Sequence, residues 1–159
     1  MKRIMFIAIC ILLGAMKMSA QSREITPEQL DFRNQIQQFL KEEGYVPSVD
    51  EEDNSLVWKK EGTAYWLYVE AGPDPFYIEI HKGGFDLEGD KQLFYESCNY
   101  ANLNQRCSKA SLGNSSIIFT SELWCSSIDH FRKVFNKYIS CLDEIKGATA
   151  DYYNNNVSK

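Results

Sequence analysis

Histidine is nearly missing from this chain of 159 residues: His81 and His130 are the only two. Acid–base or metal chemistry would have to recruit them from distant elements. His130 reads as a solvent-facing residue beside Asp129, and His81 as part of a binding surface rather than a catalyst. Four prolines and nine glycines are too few for a low-complexity or disordered chain. Repeated long apolar runs, which a multi-span membrane protein needs, are lacking too. No CxxC pair, Walker-type phosphate loop, dinucleotide-binding glycine pattern or GxSxG elbow occurs. Zinc, thioredoxin-like, nucleotide and hydrolase chemistry therefore have no motif behind them, and Gly83-Gly84 reads as a turn. Basic residues are outnumbered, 17 against 22 acids, for a net charge of −5. That balance argues against a nucleic-acid backbone as partner.

What is present begins with a targeting signature. Lys2 and Arg3 precede an apolar run from Ile4 to Ala15, and Met18-Ser19-Ala20 places small residues before Gln21. This pattern predicts a signal peptide over residues 1–20, cleaved after Ala20, and one domain over 21–159 with an ordered core of about 26–150. Lys17 interrupts the run short of the roughly 18 to 20 apolar residues that span a bilayer, so no stable membrane insertion is expected after cleavage. Cys10 lies inside the run and does not fit a lipid-attachment site. Cleavage removes Lys2, Arg3 and Lys17 and no acid, leaving a more acidic mature chain. The expected location is periplasmic or extracellular, in a bacterium.

Cleavage would also leave an even number of cysteines: Cys98, Cys107, Cys125 and Cys141. In an exported protein these permit two disulfides in any of three connectivities, and we expect at least one. Four buried thiols are the alternative, because free cysteine packs well in cores.

Along the chain, Thr26-Pro27-Glu28-Gln29 has the form of a capping box with proline at the first helical position. Phe32, Ile36, Phe39 and Leu40 then recur at helical spacing up to Gly44, predicting a helix over 27–43. Ser48 to Asn54 reads as a solvated loop; its acidic run Asp50-Glu51-Glu52-Asp53 lacks the glycine and alternation of a calcium loop. Strands are expected at Ser55 to Lys60, Thr63 to Glu70 and Phe76 to Lys82, then a loop over 83–90. A two-residue turn at Glu61-Gly62 would set Trp58 opposite Tyr65 and Leu56 opposite Leu67. Leu56, Trp58, Tyr65, Leu67, Val69, Phe76, Ile78 and Ile80 then share an apolar face. The opposite face carries Val57, Lys59, Trp66, Tyr68, Glu70, Tyr77, Glu79 and His81.

Asp90 is a plausible cap for a second helix ending near Asn104. Cys107 to Leu112 and Ser115 to Leu123 form a second hairpin about Gly113-Asn114. Ser126 or Ser127 caps a last helix in which Ile128, Phe131, Val134, Phe135, Tyr138, Leu142 and Ile145 hold period for five turns, and Asn154 to Asn156 are expected to fray. Asn114-Ser115-Ser116 and Asn156-Val157-Ser158 fit the glycosylation pattern, which is common by chance. The fold class is α+β: one mainly antiparallel five-stranded sheet with helices on one face, in the order α-βββ-α-ββ-α.

This order resembles the YbjN family, with the type III secretion chaperone-like fold. The phrases that carry the likeness are Ile36-Gln37-Gln38-Phe39-Leu40-Lys41-Glu42-Glu43-Gly44-Tyr45, Trp66-Leu67-Tyr68-Val69 and Ala101-Asn102-Leu103-Asn104. The resemblance implies a small, often dimeric, protein-binding or chaperone-like molecule with no catalytic residues to carry over. The signal peptide and four mature cysteines depart from the usual cytoplasmic members, so a cytoplasmic secretion client does not follow.

The expected function is therefore an exported, non-enzymatic binding module with no cofactor or metal, working through a protein partner or as a homodimer. Its candidate surface is Trp66, Tyr68 and Tyr77 with Lys59, Glu79 and His81 as polar rim. The alternative for that face is cover by the loop 83–90 or the C-terminal residues. Rival functions are a small thiol or redox enzyme using one of the cysteines with a histidine, and a small-ligand binder with a cavity between sheet and helices.

Overall fold

The computed structural model describes residues 25–157, so the expected signal segment and Cys10 lie outside the described residues. Helix α1 (Pro27–Glu42) starts on the expected capping box: the Gln29 amide donates to Thr26 Oγ1 at 3.3 Å, and the Thr26 amide donates to Gln29 Oε1 at 2.8 Å. Gly44, at φ 88°, ends it, as a residue without Cβ can.

The sheet has six strands rather than five. Strand β1 (Ser48–Val49) pairs antiparallel with β2 (Leu56–Lys60), inside a segment the sequence presents as loop. Two residues are too few to show alternation. The acidic run between them is the turn itself: Asp50 Oδ1 accepts from the Glu52 amide at 2.9 Å, and Asn54 takes a φ of 62°. Strand β3 (Thr63–Ala71) pairs with β2 in the expected register, Trp58 opposite Tyr65 and Leu56 opposite Leu67.

Strand β4 (Phe76–Asp86) runs four residues past the expected end at Lys82, through Gly83-Gly84. These glycines are not a turn. A Cβ on Gly84 would stand 2.3 Å from the Ile117 carbonyl oxygen, so glycine is what lets β4 approach its neighbour, and the register shifts between Gly83 and Asp86. Helix α2 (Lys91–Asn104) is capped by Asp90, whose Oδ1 accepts from Gln92 and Leu93 amides. Strands β5 (Lys109–Leu112) and β6 (Ser116–Cys125) form the second hairpin, and Cys107 and Ser108 precede it instead of opening it. The sheet order is β1-β2-β3-β4-β6-β5, antiparallel throughout.

Helix α3 (Ile128–Asn156) is capped by Ser127 and includes Asn154 to Asn156, which were expected to fray. Its last turns are held by aromatic stacking: Tyr153 on Phe94 with ring centroids 4.4 Å apart, and Tyr152 on Tyr100 at 4.8 Å. Buried side chains from all three helices and the apolar sheet face make one core. Trp58 stacks on Tyr65, and Phe135 meets Phe39 edge to face. Among the described residues no helix is long and apolar enough to cross a membrane.

Candidate functional site

The second sheet face is built by strict alternation. Residues facing the core are buried, and their neighbours in sequence stand half-buried on the other side. Across the strands this sets up rows. One runs Ser48, Val57, Trp66, His81, Thr120 and Lys109; the next, Tyr68, Glu79 and Glu122; the next, Tyr77 and Trp124. The expected residues Trp66, Tyr68, Tyr77, Glu79 and His81 are thus brought together. Lys59 is exposed and paired with Ala64, outside the charged cluster described below.

The sequence reading missed the contribution of β6. Ile118, Thr120, Glu122 and Trp124 alternate with the buried Ile117, Phe119 and Leu123, a signal visible in the sequence. It lacked an address, because nothing local states that β6 lies against β4. The expected strand end at Leu123 also left out Trp124. Trp124 is 58% exposed and lies over Tyr77 at 4.7 Å, the most open large aromatic of the face. Tyr68 and His81 pack at 5.0 Å.

Glu79 and Glu122 are direct cross-strand partners, an arrangement of like charges that is unfavourable unless compensated. Compensation comes from three sides. His81 Nε2 lies 3.0 Å from Glu79 Oε2, Lys109 Nζ donates to Glu122 Oε1 at 2.6 Å, and the Tyr77 hydroxyl interacts with both carboxylates. Lys109, then Tyr77, hold the Glu122 carboxyl below its ordinary value against desolvation. Burial, reinforced by the two carboxylates, pushes the Tyr77 phenol well above its usual value. Tyr68 is pushed up to about 12 by burial and by the nearby Asp53 carboxylate, so the acidic turn borders the aromatic face.

The sign of these phenol shifts gives a prediction. A raised folded-state pKa contributes stability that is present below pH 10.0, the unfolded value, and lost as the pH climbs toward about 12. In alkaline titration of phenolate absorbance, Y68F and Y77F should each remove amplitude only from the late phase. Loss of amplitude from the phase near pH 10 would contradict the network.

Neither expected cover lies on this face. Residues 83–86 are β4, and Phe85 meets the buried Phe119 edge to face at 6.0 Å. The C-terminal turns stack on α2, on the core side. The four cysteines are free thiols here, Cys98, Cys125 and Cys141 buried and Cys107 exposed. Burial pushes the Cys125 thiol up to about 11 and raises that of Cys98, the opposite of an activated nucleophile. Among the described residues no group of three or more His, Cys, Asp or Glu side chains is placed to hold a metal. Compared with known proteins, the chain matches no family model and no curated protein.

Proposed function

We propose that this chain is an exported, non-enzymatic, chaperone-like binding module that engages a protein partner or a second copy of itself through the outer sheet face. The observation that carries the reading is the array of half-buried Trp66, Tyr68 and Tyr77 with the exposed Trp124 around a compensated polar centre. Large rigid aromatics bury much area at little cost in side-chain entropy, and the charged groups fix orientation. The YbjN-like reading, with its type III secretion chaperone-like fold, belongs to the same proposal, as do the signal peptide and the periplasmic or extracellular location.

The test is light scattering after size-exclusion chromatography on the chain from Gln21, with and without Trp66→Ala and Trp124→Ala. A wild-type dimer that becomes a folded monomer in either variant supports self-association through this face. A wild-type monomer whose tryptophan emission is quenched by added iodide, less so in Trp124→Ala, supports a face left open for another protein. Unfolding by Trp66→Ala, with oligomer size unchanged in the material that stays folded, would make the face ordinary core and end the proposal.

A further inference from the structure

Two of the four thiols are brought together across 34 intervening peptide bonds, from Cys107 just before β5 to Cys141 in the middle of α3. Their side chains come within interaction range of each other, the Cys107 thiol adding to the burial that raises the Cys141 thiol. Both backbones are fixed around that contact by buried serine hydroxyls. Ser121 Oγ donates to the Cys107 carbonyl at 2.6 Å, and Ser108 Oγ donates to the Cys141 carbonyl at 3.0 Å, tying the residue beside one cysteine directly to the other. The two thiols differ in access. Cys141 is 6% exposed, whereas Cys107 is exposed and lines an open pocket of about 240 Å³ with Arg106, Lys109 and Tyr138.

We propose that Cys107 and Cys141 form a disulfide by thiol–disulfide exchange, with Cys107 as the entry thiol and Cys141 as the resolving thiol. The oxidant is a disulfide of small size or on an exposed loop, such as glutathione disulfide or the disulfide form of an oxidoreductase. The Cys107 thiolate attacks one sulfur of that disulfide, its proton passing to water, and the first partner thiolate leaves. The Cys141 thiolate then attacks Cys107 Sγ in the mixed disulfide, and the second partner thiolate leaves. Two protein thiols lose two protons and two electrons together, and the partner disulfide takes up both electrons to become two thiols. Burial, with the Cys107 thiol beside it, raises Cys141, so the resolving step should accelerate as the pH rises. At Cys98 and Cys125 burial alone raises the thiol, with no contribution from a second cysteine. The bridge would close a chain segment holding β5, β6 and the first half of α3, and so fasten the second hairpin to the long helix.

The experiment incubates the reduced chain from Gln21 with glutathione disulfide, quenches with acid, alkylates under denaturing conditions and maps peptides without reduction. The expected result is one peptide pair joining Cys107 to Cys141, with Cys98 and Cys125 alkylated, and a melting temperature higher than that of the reduced protein. Cys141→Ser should instead accumulate one glutathionyl group on Cys107, and Cys107→Ser should react many-fold more slowly at every cysteine. A bridge involving Cys98 or Cys125 would overturn the proposal. So would four alkylated thiols under conditions that oxidise a control dithiol, and so would unchanged reaction of Cys107→Ser. The wild-type peptide map decides the pairing even if a variant fails to fold.

Discussion

Replacing Phe135 with alanine is expected to cost about 3 to 5 kcal/mol, the range for truncating a large aromatic in a closed core. The ring is fully buried and meets two other elements, Phe39 of α1 at 5.3 Å and Trp58 of β2 at 6.3 Å, together with Phe131 one turn back in its own helix at 5.5 Å and Tyr45 at 6.4 Å. Its neighbours are themselves large rings whose positions are set by other contacts, such as Trp58 against Tyr65 and Phe39 against Phe131. They have little freedom to fill the space left behind, so the cavity term should be near its full value. Urea unfolding should show a lower midpoint with an unchanged slope. A loss below about 1 kcal/mol would mean that the site collapses around the missing ring.

The second large effect is expected at Asp143. Lys82 faces the core from β4 and is 5% exposed, yet its ammonium donates to Asp143 of α3 and lies 5.4 Å from the Tyr65 ring centroid. Burial pulls the ammonium down, but hydrogen bonds with Asp143 and the Tyr65 hydroxyl outweigh it, so the pKa lies above the ordinary value. Asp143→Ala leaves that cation without its carboxylate. Removing one partner of a fully buried pair costs roughly 3 to 5 kcal/mol, and because Asp143 is half exposed to water the expected cost here is about 2. Lys82→Met should be close to neutral, and Lys82→Met with Asp143→Ala should restore most of the loss, since no unpaired charge remains. A double variant as unstable as Asp143→Ala alone would mean that the carboxylate acts by some contact other than the pair. Because the Lys82 pKa is raised on folding, the pair's contribution is present below pH 10.5 and fades as the pH rises through the higher folded value.

Lys82 also shows where reading the chain reaches its limit. The alternation Phe76, Ile78, Ile80 points straight at Lys82 as the next inward residue, but a lysine reads as the end of a buried strand unless its counter-charge is known. That counter-charge lies 61 residues away. The same division runs through the whole fold. Helix α3 and the β2–β3 register were legible because their periods and turn are local. The short β1 was not, since two residues cannot display a period. Gly83-Gly84 reads as a turn in the sequence because what requires glycine at 84, the close approach of Ile117 in β6, is set by a distant strand. At the candidate site the β3 and β4 aromatics could be placed on one face from the hairpin alone. Trp124, Glu122 and Lys109 needed the pairing of β4 with β6, which is a long-range choice.

The order of the sheet has a bearing on polymerisation. Its two margins are β1, two residues long, and β5, four residues long. Between them the longer strands each have a neighbour on both sides, β3 meeting β2 over Thr63–Leu67 and β6 meeting β5 over Ile117–Thr120. Beyond β1, the open stretch of β2 carries Lys59 and Lys60, charges that resist the docking of another extended chain. Stacking of copies margin to margin into a continuous ribbon is thereby discouraged at both ends, and concentrated solutions of the folded protein should stay free of fibrils while the short margins remain intact.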